Sequence, residues 1–237
     1  MSEINLSPLL ISKNIKPNCT YSIYIETPKL KLLCYLNGPY YSTNTSFTEG
    51  KMSINLKIKI PSYIDNPFLK RDIQITETKL KNILLKHLLI KKYPRTKLDI
   101  IIEIYEINCD YFPYALMATS ICCNYAGIEQ RGILSSCTLL LNDNKEIIVE
   151  PELEQIYNDK YTKFNIAYNI PLQETISFFQ DGYCDDEILK KIIATSMKIC
   201  DTYNKFILNK IENENEYLMQ RNRKSLFCHK ILLKNKL

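Results

Sequence analysis

The sequence predicts an α+β fold, with amphipathic helices packed on mixed β-sheets. Three observations predict it. Met52, Ile54, Leu56, Ile58 and Ile60 alternate with Ser53, Asn55, Lys57 and Lys59, the period-two signature of a strand with one buried face and one wet face. Leu80, Ile83, Leu84, His87 and Leu88 recur at three- to four-residue spacing, which marks one face of a helix over Ile73–Ile90. This order of strands followed by a helix occurs twice along 237 residues without an interior linker, so both halves are expected to share one core.

In chain order, Tyr21–Thr27 and Leu30–Asn37 read as strands joined through Pro28-Lys29, with Gly38-Pro39 breaking the second. A polar loop, YYSTNTSFTEG, leads into the alternating strand, and Pro61–Phe68 reads as a loop. Pro94 closes the first helix. Leu98, Ile100, Ile102 and Ile104 then alternate with Asp99 and Glu103 as a strand. Pro113 fits the first turn of a helix over Tyr114–Tyr125, which stops at Gly127. Further strands are predicted at Leu134–Leu141, Glu146–Val149, Lys163–Asn169 and Glu174–Phe179. After an Asp181-Gly182 turn, Asp185 and Asp186 supply the N-cap and first-turn charge of a long helix. Ile188, Ile192, Ile199, Tyr203, Phe206 and Ile207 form its apolar stripe. From position 212 the composition turns polar and basic, so the chain divides into a domain over 1–211 and a basic extension over 212–237. That extension reads either as a frayed solvated tail or as an arm that docks through Leu226, Phe227, Ile231 and Leu232.

Composition removes several classes of function. No apolar run is long enough to span a bilayer, and the polar-interrupted N-terminus lacks a signal-peptide layout, so no membrane partner is expected. The Asn-x-Ser/Thr matches at Asn18 and Asn44 are then accidental. Nine cysteines without a C-x-x-C pair, and only His87 and His229 beside them, suggest neither a disulfide framework nor a zinc site; they read as reduced, mostly buried small hydrophobes. No metal or cofactor is expected. The formal charge of +5 is too mild to imply nucleic acid by itself. His87 has no acid or cysteine placed to use it and reads as a partly covered helix residue.

Between Tyr93 and Leu141 the chain runs through a basic turn, a strand, a helix ending at Tyr125-Ala126-Gly127-Ile128, and another strand. That order resembles the core of the RNase PH family, which includes phosphorolytic tRNA-trimming enzymes and the ring subunits of the RNA exosome. Leu32-Leu33-Cys34-Tyr35-Leu36-Asn37-Gly38-Pro39 resembles the family's V-L-C-x-V-x-G-P strand, and Tyr21–Glu26 its opening strand. Tyr93-Pro94-Arg95-Thr96 looks like a turn common in exosome ring subunits, Ala126-Gly127-Ile128 like their D-A-G-I, and Gln130-Arg131-Gly132 like the segment that follows. Glu146–Glu154 falls where the family has a strand followed by L-D-x-x-x-E. The resemblance implies the RNase PH-like fold, which is the ribosomal protein S5 domain 2-like fold.

The departures bear on activity. Active members carry a Gly-Thr-Arg phosphate clamp where this chain reads Asp110-Tyr111-Phe112, and a phenyl ring cannot pair with phosphate as a guanidinium does. Glu150 stands at the first acidic position and Ile156 at the second, so Glu150 and Glu152 read as surface charges rather than a catalytic pair. No catalytic residue is therefore assigned. The resemblance implies a catalytically inactive exosome ring subunit, supporting assembly and the threading of RNA to a separate hydrolytic exoribonuclease. The implied partners are other RNase PH-like ring subunits (a heterodimer, then a pseudo-hexameric ring), S1/KH cap subunits and RNA. The implied locations are the nucleus, nucleolus included, and the cytoplasm. The alternative is an active phosphate-dependent 3′-to-5′ exoribonuclease using an unconventional phosphate site. Candidate RNA-binding residues are Lys91, Lys92 and Arg95, with Arg131 after the second helix. Lys91 and Lys92 have a second reading, as cations complementing the first helix's C-terminal dipole.

Overall fold

The structure, a computed structural model, describes residues 6–41, 50–61, 67–158 and 160–234, with side chains described over 6–41, 50–61, 69–158 and 160–213. Asn44, the loop at 42–49 and the side chains of Leu226, Phe227, Ile231 and Leu232 lie outside that description.

Strands β1 (Leu10–Lys13), β2 (Tyr21–Thr27), β3 (Leu30–Tyr41), β4 (Ser53–Lys59) and β5 (Thr96–Ile107) form a mixed sheet in the order β1-β2-β3-β5-β4, with β4 parallel to β5. Strands β6 (Leu134–Leu141), β7 (Ile147–Val149), β8 (Thr162–Asn169) and β9 (Glu174–Asp181) form an antiparallel sheet in the order β7-β6-β8-β9. Helix α2 (Phe112–Tyr125) lies between the sheets, against β2 and β3 on one side and β6 on the other. Its sequence carries no charge, and every residue from Phe112 to Cys123 is buried, as a helix covered on all sides requires. Helix α1 (Pro67–His87) packs on β4 and reaches β9. Helix α4 (Asp186–Lys234) covers the outer face of the second sheet and runs through position 211 without interruption. β6 is buried on both faces because its residues alternate between two helices: Cys137 contacts Ser196 and Cys200 of α4, while Thr138 points toward the start of α2.

One apolar cluster joins residues of both sheets with α1, α2 and α4, as the shared-core reading expected. Cysteine behaves as a small hydrophobe in it: six of the eight described cysteines are buried, and all eight are free.

Several details differ from the sequence reading. Gly38-Pro39 does not end β3: a register shift between Asn37 and Tyr40 takes the pair out of the ladder, and pairing with β5 resumes at Tyr40↔Lys97. Only glycine fits at 38, where φ is +118° and an added Cβ would stand 2.6 Å from the Lys97 carbonyl oxygen. Helix α1 begins at Pro67, six residues before Ile73, because proline suits a first turn as well as a loop. β1 and the one-turn helix α3 (Leu153–Ile156) were not anticipated. His87 is fully buried rather than partly covered, since α1 hands the chain directly to the segment that follows α2.

Candidate nucleic-acid interface and acidic centre

The chain leaving α1 joins the segment leaving α2. Leu88 bridges Gln130, the Leu89 N–H donates to the Glu129 carbonyl at 3.0 Å, and the Arg131 N–H donates to the His87 carbonyl at 3.3 Å. A 3-10 turn follows over Ile90–Lys92, and the Glu129 N–H donates to the Tyr93 hydroxyl at 3.1 Å. These bonds bring Lys91, Lys92 and Arg131 onto one edge of the molecule, all exposed, with Arg95 exposed at the end of the turn. Arg95 adopts a left-handed φ of +57°, and the Thr96 hydroxyl donates to the Tyr93 carbonyl at 2.8 Å, holding the turn closed. Lys92 is ion-paired with Glu129, so one of these four cations is matched by a carboxylate. Sequence reasoning missed Glu129, which meets Lys92 only because of the Leu88–Gln130 bridge.

Beneath this edge the His87 Nε2 lies 2.6 Å from the Gly132 carbonyl oxygen, which it meets as donor, while Nδ1 is buried without a hydrogen-bond partner. Burial holds the imidazole pKa below its usual value, the Gly132 carbonyl opposes that shift, and the Arg131 charge adds to it. A histidine whose folded pKa is lowered leaves the unfolded chain binding more protons, so its stability contribution falls as pH drops through the unfolded value near ~6.5. Urea midpoints measured from pH 8 to 5 are expected to decline below about pH 6.5. His87→Gln, which keeps a donor for Gly132 but cannot titrate, is expected to flatten that decline.

The second candidate region surrounds the start of α2. Asp110 is buried, and its Oδ1 accepts the Phe112 N–H at 3.2 Å, from the first residue of the helix. Its Oδ2 accepts from the Thr138 hydroxyl at 2.7 Å, the Asn165 amide at 2.9 Å and the Lys163 ammonium at 3.0 Å. Burial alone would raise the Asp110 pKa, but the Lys163 charge and the hydrogen bonds from Thr138, Lys163 and Asn165 outweigh it and hold the carboxyl below its usual value. The carboxylate also lies at the positive end of the α2 dipole. An anion-binding position at a helix N-terminus is thus filled from within the chain.

Phe112 is buried and meets Phe179 edge-on, with ring centroids 6.1 Å apart. The Tyr111 hydroxyl donates to Asp72 Oδ2 at 2.8 Å, and burial raises the Asp72 pKa.

Glu150 is not the surface charge the sequence suggested. It sits at a left-handed φ of +53° and points inward. Its Oε1 accepts from the Tyr114 hydroxyl at 3.1 Å and from the Tyr203 hydroxyl, and its Oε2 from the Ser7 N–H at 3.0 Å and the Ser7 hydroxyl at 2.5 Å. Glu152 is exposed, as expected. It pairs with Lys29 at 2.9 Å and forms the capping box of α3 with Gln155. Ile156 is half-buried in α3. The two glutamates therefore serve separate structural contacts. The cavity bordered by Asp110, Tyr114, Thr138, Glu150 and Tyr203 measures about 10 Å³, room for one water and no nucleotide.

No family model matches the chain. In sequence it is similar to the exosome complex component Rrp41 of Pyrococcus horikoshii, 24% identical over 208 residues that span 83% of this chain and 80% of the relative. In structure it superposes on rice Rrp46 with a TM-score of 0.75 at 17% identity, covering 86% of this chain and 94% of that one. A chain of the Archaeoglobus fulgidus exosome, solved with RNA bound to the active site, superposes with a TM-score of 0.69 at 11% identity, covering 84% of this chain and 87% of that chain.

Proposed function

We propose that this chain, which has the RNase PH-like fold and is related in sequence to Rrp41 exosome components, is a ring subunit of an exosome core that guides RNA without cleaving it. The observation that carries the reading is Asp110. Phosphorolysis requires inorganic phosphate to be held beside a polyanionic RNA end, which fixed cations must make favourable. Here the start of α2 and the Lys163 ammonium neutralise the chain's own carboxylate instead. Both oxygens of Glu150 are likewise engaged by hydroxyl and backbone donors, so this carboxylate is already committed to contacts within the chain. Such a subunit works with other RNase PH-like ring subunits, with S1/KH cap subunits and with a separate hydrolytic exoribonuclease, in the nucleus and cytoplasm. The domain proper comprises 1–211, and 212–237 is its basic extension.

RNA contact is assigned to Lys91, Lys92, Arg95 and Arg131. Exposed cations on one edge bind phosphates through counterion release and need no base readout. Replacing Lys91, Lys92 and Arg95 together with alanine is expected to weaken RNA binding by the assembled ring on the order of tenfold. It is also expected to flatten the salt dependence by roughly 0.7 in log–log slope per lost phosphate contact. Assembly should persist, because exposed charges contribute little to folding. Filter binding at several salt concentrations checks this; unchanged affinity and slope would place the RNA path elsewhere.

A further inference from the structure

Among the described residues the two sheets have four edges, and these are protected unequally. β1 is four residues long and β7 three. β4 is longer but carries Asn55, Lys57 and Lys59. Short or charged edges of this kind discourage pairing with other chains. β9 is different: eight residues long, among the described residues it pairs only with β8, and its interior, Thr175-Ile176-Ser177-Phe178-Phe179-Gln180, holds neither charge nor proline. An edge strand with that composition is a template for a further strand.

A groove of about 620 Å³ runs between β9 and α1. Ile75, Ile83 and Phe179 supply apolar lining, and Ile75 is 44% exposed. Lys79 and Lys86 also line it, with no acidic side chain among the described lining residues, and the Lys79 ammonium stands 4.9 Å from the centre of the Phe179 ring. The Ser177 hydroxyl, also in the lining, is buried without a hydrogen-bond partner. The groove therefore combines an unpaired strand edge, apolar lining, a hydroxyl without a partner and positive charge. Extended peptides bind in this setting, between an edge strand and a helix, with backbone bonds supplying affinity and alternate side chains supplying specificity.

We propose that the groove between α1 and β9 binds an extended acidic segment of another protein, added to β9 as a fifth strand of the second sheet. The two lysines select acidic side chains, and Ile75, Ile83 and Phe179 receive the apolar ones. A second copy of this chain fits less well, since antiparallel β9–β9 pairing about its centre sets Glu174 against the partner copy's Asp181. Single-stranded RNA fits less well too, because the Phe178 and Phe179 rings are already packed on Phe164 and Phe112. The inference rests on the fold and does not depend on the chain's RNA role.

The test is to pan a displayed library of random decapeptides on the full chain and to map the enriched peptides by hydrogen–deuterium exchange. Enriched peptides are expected to alternate apolar and acidic residues and to slow exchange of β9 amides at least tenfold. Lys79→Glu combined with Lys86→Glu is expected to weaken them at least tenfold while leaving the melting temperature unchanged. The proposal is overturned if no peptide is enriched, if enriched peptides are basic, or if protection falls outside β9 and α1. Displacement of the peptides by a ten-nucleotide oligoadenylate, or β9 protection that instead tracks self-association in sedimentation, would also overturn it.

Discussion

Replacing Asp110 with alanine is expected to lower the urea midpoint by an amount equivalent to roughly 3 kcal/mol, the scale at which breaking a buried ion pair from one side destabilises a domain. The loss comes mainly from Lys163, whose side chain is 16% exposed and would be left without its counter-charge, and from the orphaned Thr138 and Asn165 donors. Lys163→Met in the Asp110→Ala background should recover part of the loss, since an apolar replacement removes the unpaired charge. The pH dependence has a definite sign. The folded Asp110 pKa is depressed, so its contribution is present above the unfolded value near ~3.9 and is lost as pH falls through the folded value. Asp72 acts oppositely, because burial raises its pKa, and its contribution is lost as pH rises through that raised value. The Asp110 part is therefore read from the difference between wild type and Asp110→Ala below about pH 4.

The largest expected effect is on turnover. Loss of one group that stabilises a transition state costs on the order of a hundredfold or more in rate, and the resemblance to the RNase PH family sets Phe112 at the clamp position and Ile156 at the second acidic position. Phe112→Arg is not expected to restore phosphate binding. The side chain at 112 is enclosed against Phe179, and the neighbouring anion position is taken by Asp110. A guanidinium placed there exchanges aromatic packing for a buried charge, so the variant should be less stable than wild type by about 3 kcal/mol, the usual scale for a truncated core phenylalanine. Phosphate-dependent thermal stabilisation of Phe112→Arg would contradict this account.

Elements with strong local signals were legible in the sequence. Leu134–Leu141 was read with both ends in place, bounded by Gly132 and Asn142, and Tyr21–Thr27 likewise. The RNase PH-like fold was legible from motif order, and structural superposition agrees. Features set by distant contacts were not. β1 has four residues and exists as a strand through its pairing with β2. The bulge that carries β3 past Gly38-Pro39 is defined by β5, some 60 residues later. The acidic centre shows the limit most clearly. Asp110 was recognisable as a departure from the clamp, but its partners Thr138 and Asn165 lie 28 and 55 residues away, and no local pattern announces them. Glu150 looked like a surface charge because the Tyr203 and Ser7 donors lie 53 and 143 residues away in sequence.

The most direct test is chromatography of the products formed from poly(A) by the purified chain, alone and within its reconstituted ring, with and without a high concentration of inorganic phosphate. The account predicts no nucleoside diphosphate attributable to this chain under any of these conditions, and no difference when Glu150 is replaced by glutamine. Phosphate-dependent release of nucleoside diphosphate by wild type, abolished in Glu150→Gln, would contradict it and identify a working phosphorolytic enzyme.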